Sequence, residues 1–252
     1  MVKIEKMSFL FWRLYSVFRG GIRRLLGMYV FGKKSSTPCN ICNGSVFIKG
    51  PNGRLSSTGC LPMCPRCGSL ERHRGLREFW STFPRDYLAQ SSVLQFSADP
   101  SLDPSWCQSL EVSIYGLYNS LDLQKINRPD ESYDIVILNQ VLEHVPDDKK
   151  ALNEALRITK SDGFVQLNVP SPLTFMHTED WGYPEKEKHG HYRTYGADIE
   201  ELFDQIVGSR NHHRCIITDP ITGERDCIFI LCHSRPSLNR IIDLCQSGRI
   251  IT

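Results

Sequence analysis

YDIVILNQVLEHVPDDKKALNEALRITKSDGFVQLNVP, residues 133–170, holds a strand, a helix and a second strand in one unbroken run. Ile135, Val136, Ile137 and Leu138 are consecutive apolar residues, the composition of a strand covered on both faces. Asp147-Asp148 supplies side-chain oxygens to the open amides of a helix start. On that helix Ala151, Leu152, Ala155, Leu156 and Thr159 recur at three- and four-residue steps and form a buried stripe. Asp162-Gly163 then turns the chain into FVQLNVP, the next strand.

The same alternation extends outward. SVLQF (92–96) and SLEVSIY (109–115) read as two earlier strands, and strands that alternate with helices argue a parallel sheet with helices on both faces. Residues 171–195 are polar and irregular, and a helix follows near 197–207. RCIIT (214–218) and DCIFILCH (226–233), joined by DPITGE, read as a closing hairpin that adds an antiparallel strand.

Upstream lie two Cys-x-x-Cys pairs, Cys39/Cys42 and Cys64/Cys67. Each pair aims two thiolates at one point, and two such turns together give the four-sulfur tetrahedron that suits Zn²⁺. Disulfides or a redox Cys-x-x-Cys are the alternatives, but a redox motif would follow a βαβ pattern and would need no second pair. Gly50, Pro51, Asn52, Gly53 and Gly59 between the pairs read as hairpin turns of a ribbon too small to fold without metal. Cys60 is a spare thiol, ranked below Cys64 because CPRCG places Pro65 and Gly68 where a metal-binding turn needs them. Cys107, Cys215, Cys227, Cys232 and Cys245 read as free thiols of a reducing compartment.

A content of 40% hydrophobic and 23% charged residues is that of a soluble globular protein. The net charge of +2 is unevenly spread: residues 1–34 carry eight Lys/Arg against Glu5 alone, or +7, which leaves −5 for the rest. Met7, Phe11, Leu14, Phe18, Ile22, Leu25 and Tyr29 form an apolar helical stripe opposite Arg13, Arg19, Arg23 and Arg24. Charges interrupt it too often for a bilayer span or a secretory signal. Two readings stand for this leader: a helix on anionic lipid or nucleic acid, or one packed on the body or on a second subunit, with Gly20-Gly21 weakening it.

Residues 133–170 resemble the class I S-adenosylmethionine-dependent methyltransferases (methyltransferase type 11-like): a strand ending in Asn139, VLEHV, a capped helix, R-x-x-K-x-x-G and a strand ending in Val-Pro match in order and spacing. CPRCGSLERHR (64–74) followed by VLQFSADPSL (93–102) is similar to a bacterial subgroup with a Cys-x-x-Cys zinc module before that fold. The resemblance implies an α/β, Rossmann-like seven-stranded sheet behind a small zinc ribbon. The resemblance covers about residues 36–233, and with the basic stretch before it the chain is expected to divide into a leader (1–34), a zinc-ribbon module (35–75), a methyltransferase domain (76–235) and a tail (236–252). It also implies S-adenosylmethionine as cofactor and structural Zn²⁺ on Cys39, Cys42, Cys64 and Cys67.

The family's Gly-rich first loop is absent: Gln95, Phe96, Ser97, Ala98 and Asp99 stand there, similar to the subgroup's Gly-poor F-A-P-E. Where an acidic residue would hold the ribose, the second strand ends at Gly116, with Asp99 or Glu111 as substitutes. Asp122, followed by Leu123, matches the family's acceptor for the adenine amine, a role that suits a carboxylate; the alternative is a turn-capping aspartate. Asn139, Gln140 and Val141 fall at the fourth strand's end, the rim where ligands of open α/β sheets bind. Glu143 and His144 begin the next loop and line the pocket, with His144 read as catalytic or, alternatively, as a structural residue hydrogen-bonded to backbone.

Residues 176–196 form a loop of the kind that covers or binds substrates, with His191, Arg193 and Tyr195 matching the subgroup's H-x-R-x-Y. His191 suits a general base and Arg193 an anionic group; the alternative is that Arg193 and Tyr195 only anchor the loop. His177, His189 and His191 have no metal-ligand spacing. The function implied is methyl transfer to an O or N acceptor on a small-molecule, sugar or lipid-linked substrate, by a cytoplasmic protein that the leader can hold at a membrane. The alternatives are an RNA methyltransferase using the zinc module and leader, which the acidic body disfavours, and a scaffold that lost its cofactor. On the lipid reading, the full chain binds anionic liposomes in low salt and loses them in high salt, and deletion of residues 1–34 abolishes binding in a flotation assay. Precipitation of the deleted protein would instead mark the stripe as an interface.

Overall fold

A computed structural model of the protein describes residues 32–170 and 172–246, so the leader stripe at 7–29 lies outside the described residues. The chain divides into two compact units. Of the described residues, the first comprises 32–80 together with 100–102 and 217–226, and the second the remainder.

In the first unit β1 (Lys33–Lys34) pairs antiparallel with β2 (Val46–Phe47), and an antiparallel bridge joins Ile48 to Met63. Helix α1 (Glu71–Ser81) follows the second cysteine pair. Arg74 on α1 is fully buried against Asp219: Nε donates to Oδ1 and Nη2 to Oδ2, each at 2.7 Å. A third donor, Nη1, reaches the Ser69 carbonyl at 3.1 Å. Asp219 in turn accepts from the Thr222 hydroxyl at 2.7 Å and from the Ile221 and Thr222 amides. The DPITGE turn is thus ordered around the carboxylate that neutralises Arg74.

The second unit begins with α2 (Arg85–Ala89), β3 (Ser92–Phe96), β4 (Ser109–Ser113) and β5 (Tyr133–Asn139), followed by α3 (Asp148–Ile158) and β6 (Thr159–Asn168). Then come β7 (Glu179–Glu185), β8 (His191–Thr194), α4 (Ile199–Val207), β9 (His212–Thr218), β10 (Arg225–Leu231) and α5 (Arg235–Gln246). The main sheet has the order β4-β3-β5-β6-β10-β9. Its first four strands are parallel and β10 is antiparallel to β6. Asp147 caps α3 by accepting from the Lys150 amide at 2.9 Å, and Ala151, Leu152, Ala155 and Leu156 are buried as the stripe requires.

Among the described residues the sheet has six strands rather than the expected seven. Beyond β4 the chain spends residues 114–132 in successive turns, Leu117 N to Ile114 O and Ser120 N to Leu117 O, with a single bridge between Asp122 and Lys125. No strand forms there to flank β4, and SLEVSIY ends as a strand at Ser113. Asp162-Gly163 also departs from expectation. It is not the turn before the strand but a bulge within β6, whose register shifts between Tyr133 and Ile135. A Cβ at Gly163 would lie 2.4 Å from the Asp134 carbonyl, so only glycine fits. Residues 171–195, read as irregular, contain the antiparallel β7–β8 pair, with Glu179 opposite Thr194 and Asp180 opposite Arg193. Pro184 and Gly182 in EDWGYPE hide that strand from a period-two reading.

Strand alternation gives the sheet two different faces. Leu94, Phe96, Val136, Leu138, Val165 and Leu167 join the buried residues of α3 and α4 in one apolar cluster. The alternate set begins apolar, with Val93, Ile135, Ile137 and Phe164, but toward the carboxyl ends of the strands it becomes Gln95, Asn139 and Gln166, all buried.

Removing one partner of a buried ion pair strands the other, at about 3–5 kcal/mol. Asp219→Ala is therefore expected to lower unfolding free energy by that order in denaturant titration, and the double variant Arg74→Met/Asp219→Leu to lose less than the single one.

Candidate active site and metal centre

The two cysteine turns repeat one backbone design. Asn43 N donates to Cys39 O and Gly68 N to Cys64 O, both at 2.8 Å, while Cys39 N donates to Gly44 O and Cys64 N to Ser69 O. Asn43 and Gly68 close the turns with positive φ of 61° and 76°. The four sulfurs lie within 4.8 Å of one another, with Cys39–Cys67 at 3.8 Å and Cys42–Cys64 at 3.5 Å. A Zn²⁺ with sulfurs at ~2.3 Å has tetrahedral edges of about 3.8 Å, so the set fits that ion. Ser69 Oγ, fully buried, contacts Cys39 at 3.4 Å and Cys67 at 3.2 Å and fixes two of the ligands. Contact with Cys42 holds Cys39 as thiolate, while contact with Cys39 pushes Cys42 and Cys64 up, so without a cation the four cannot ionise together. Cys60 is exposed and outside the cluster.

At the carboxyl ends of β3, β5 and β6 a polar network replaces the missing glycines. Parallel pairing sets Phe96 beside Leu138 and Asn139 beside Asn168, so the three strands end side by side. Ser97 leaves β3 with φ 63° and Gln140 leaves β5 with φ 54°, conformations costly for residues that carry a Cβ. The Gln95 amide holds the first turn by donating to Ser97 O at 2.8 Å and Asp99 O at 3.3 Å. Asn139 donates to the Asp99 carboxylate at 2.7 Å and accepts from Gln166 at 3.0 Å. Gln140 is held by Asn168 through both its backbone amide and its side chain, each at 2.8 Å. Gln95 Oε1 and Gln166 Oε1 are buried with no donor among the described residues. Gln166 and Asn168 gave no signal in the sequence beyond being polar residues within a strand otherwise buried.

The other expected cofactor residues scatter from this rim. Ala98 is half-buried in the same turn and Val141 is half-buried behind Gln140. Glu111 stands opposite Leu94, two positions before the strand ends, and is engaged by Arg128 and, at 2.5 Å, by the Tyr133 hydroxyl. Burial and that carboxylate push Tyr133 up to about 12. Asp122 is exposed, its carboxylate accepting from Gln124 N at 2.9 Å, while Leu123 is buried in the core. This is the turn-capping geometry weighed as the alternative for Asp122.

His144 and His191 come together across β8 and the 3-10 turn Leu142–His144, with perpendicular rings 4.6 Å apart. Burial lowers both, His191 to about 4 with help from His144 and His189, so both imidazoles are neutral near pH 7. Arg193 and Tyr195 are not open to a substrate. Arg193 is 3% exposed and donates to Asp180 Oδ2, Val145 O and Pro146 O at 2.7, 2.8 and 2.7 Å. Tyr195, 2% exposed, donates to Asp148 at 2.9 Å. Both pin β8 to residues 145–148, which is the anchoring alternative, and they set His191 against His144. Beside them is a cavity of about 300 Å³ lined in part by Phe175, His177, Glu179, Lys188, His189 and His191. No helix among the described residues is long and apolar enough to cross a membrane.

For the zinc centre, elemental analysis of purified protein is expected to return one zinc per chain held by the four cysteines. Cys64→Ser loses it and Cys60→Ser keeps it; zinc retained in full by Cys64→Ser would overturn the ligand set.

Residues 93–167, from β3 to the end of β6, match the family model described as Methyltransferase domain. No curated protein matches the chain. Similar solved structures include 1,6-didemethyltoxoflavin-N1-methyltransferase of Burkholderia thailandensis, solved with bound 1,6-didemethyltoxoflavin and S-adenosylhomocysteine, at 12% identity, 62% of this chain, 77% of that one and TM-score 0.41. The YcgJ protein of Bacillus subtilis is 14% identical over 64% of this chain and 99% of its own, with TM-score 0.38. A methyltransferase of Thermotoga maritima is 13% identical over 63% and 89%, with TM-score 0.36. Residues 93–167 thus carry a methyltransferase domain, preceded in sequence by a four-cysteine cluster that fits zinc.

Proposed function

We propose that this methyltransferase acts on an oxygen or nitrogen acceptor of a small-molecule, sugar or lipid-linked substrate that approaches from the β7–β8 side. The observation that carries the reading is the pair of strained strand ends, Ser97 and Gln140, held around the Asp99–Asn139–Gln166 network. Strain of this kind persists where the surroundings fix it, and it clusters at ligand sites. The donor-poor acceptors Gln95 Oε1 and Gln166 Oε1 and the Asp99 carboxylate suit the ammonium and hydroxyl donors of S-adenosylmethionine. Asp122 remains available to accept from an adenine amine.

When bound, the cofactor supplies an activated methyl group for in-line displacement, so the protein's task is alignment of donor and acceptor. Asn139 orients Asp99, Gln95 fixes the turn between them, and Arg193 with Tyr195 holds β8 so that His191 lines the cavity with His144 packed against its ring. Neutral imidazoles there present lone pairs to an acceptor without repelling it. The acidic charge of residues 35–252 supports a small or lipid-linked acceptor over RNA.

Calorimetry with S-adenosylhomocysteine tests the cofactor half. Asp99→Ala is expected to weaken binding by roughly 1–3 kcal/mol, about 5- to 150-fold, because it leaves Asn139 and the ligand without their acceptor. Asp122→Ala with unchanged affinity would place the adenine elsewhere, and no binding by the unaltered protein would favour the scaffold.

A further inference from the structure

Glu143, His144 and His191 each offer a ligand atom, and the three atoms lie within 4.8 Å of one another. Two imidazoles and one carboxylate at that separation are a donor set for a divalent first-row transition metal, typically with further positions left open. We propose that these three side chains bind such an ion, in a second metal site separate from the four cysteines.

The local structure is that of a ligand set held in place. Glu143 is 1% exposed and emerges from the same 3-10 turn as His144, so both ligands come from one short, rigid segment. The His144 ring is hydrogen-bonded to the Gly190 backbone, one residue before His191. Such a contact at one ring nitrogen leaves the other for a metal and fixes its direction. His191 is brought to the site by Arg193, which ties β8 to Val145 and Pro146 at 2.8 and 2.7 Å. The perpendicular packing of the rings lets their lone pairs converge instead of stacking face to face.

Access is provided as well. His144 is exposed and His191 half-buried, so an ion can reach ligands whose third member is enclosed. The cavity of about 300 Å³ that His191 lines gives the open side of the ion somewhere to face. With two neutral imidazoles and one carboxylate, a divalent ion keeps net positive charge and favours an oxygen ligand on that side. For its functional meaning the proposal rests on the acceptor approaching there; the binding of the metal does not depend on that reading.

The test uses the full chain with its cysteine site loaded with zinc, dialysed to equilibrium against Co²⁺ and analysed for both elements. The expected result is one zinc and one cobalt per chain. His191→Ala and Glu143→Gln are expected to keep the zinc and to weaken cobalt binding at least 100-fold, whereas His189→Ala, whose ring centre lies 6.2 Å from that of His191 and outside the cluster, keeps both ions. Absence of a second ion on the unaltered protein at millimolar Co²⁺ overturns the proposal, and so does equal loss in His189→Ala and His191→Ala. The unaltered protein decides the matter even if a variant fails to fold. Titration of the same samples with S-adenosylhomocysteine reports separately on the methyltransferase site, so either reading can fail alone.

Discussion

The Arg74–Asp219 pair sets the terms on which the first unit exists. A guanidinium with no exposure is tolerable only with its charge matched and its donors used, and Asp219 provides both with two bonds of 2.7 Å. Its partner lies 145 residues away in sequence, so this unit is not a contiguous module. The pair is also wired to the metal centre. Arg74 holds the Ser69 carbonyl, and the Ser69 hydroxyl contacts two of the four sulfurs. Zinc and ion pair thus restrain the same short segment from opposite ends, which a ribbon with a three-residue buried cluster needs.

Local signals make much of this fold legible in the sequence. The run Ile135–Leu138, the Asp147 cap and the α3 stripe are each decided within one or two turns of chain, and each forms as read except at Thr159, which is buried at the start of β6 rather than on the helix. The cysteine turns are legible for the same reason, since spacing alone brings their sulfurs together. What was not legible depends on partners distant in sequence. The bulge at Gly163 exists because of the Asp134 carbonyl on β5, and the β7–β8 pairing because of Asp180 and Arg193. The missing edge strand reflects a linker that satisfies its backbone by turns.

The site was legible in position and less so in construction. The strand ends were expected to line the pocket, but the absence of glycine said nothing of what replaces it. The structure supplies side-chain amides: Gln95 takes over the turn-forming bonds, and Asn139 and Gln166 brace it from neighbouring strands. A glycine turn leaves room next to the backbone, whereas this one fills that room with buried amides. The result is a more rigid rim, in which a change at Gln166 on β6 is felt at Asp99 through Asn139.

The segment 176–196 is fixed and open at once. Arg193 and Tyr195 are buried and bound to residues 145–148, so the carboxyl-terminal part of the hairpin cannot swing away without exposing a charge and breaking three hydrogen bonds. At the other end Gly182, Tyr183 and Pro184 are exposed, and the short turn Lys186–Lys188 is entirely on the surface. Any opening is then confined to the hairpin tip, while His191 stays against His144. The same Arg193 bonds to Val145 and Pro146 that fix the base of the hairpin therefore also fix the His144–His191 contact, while the exposed tip is held by neither.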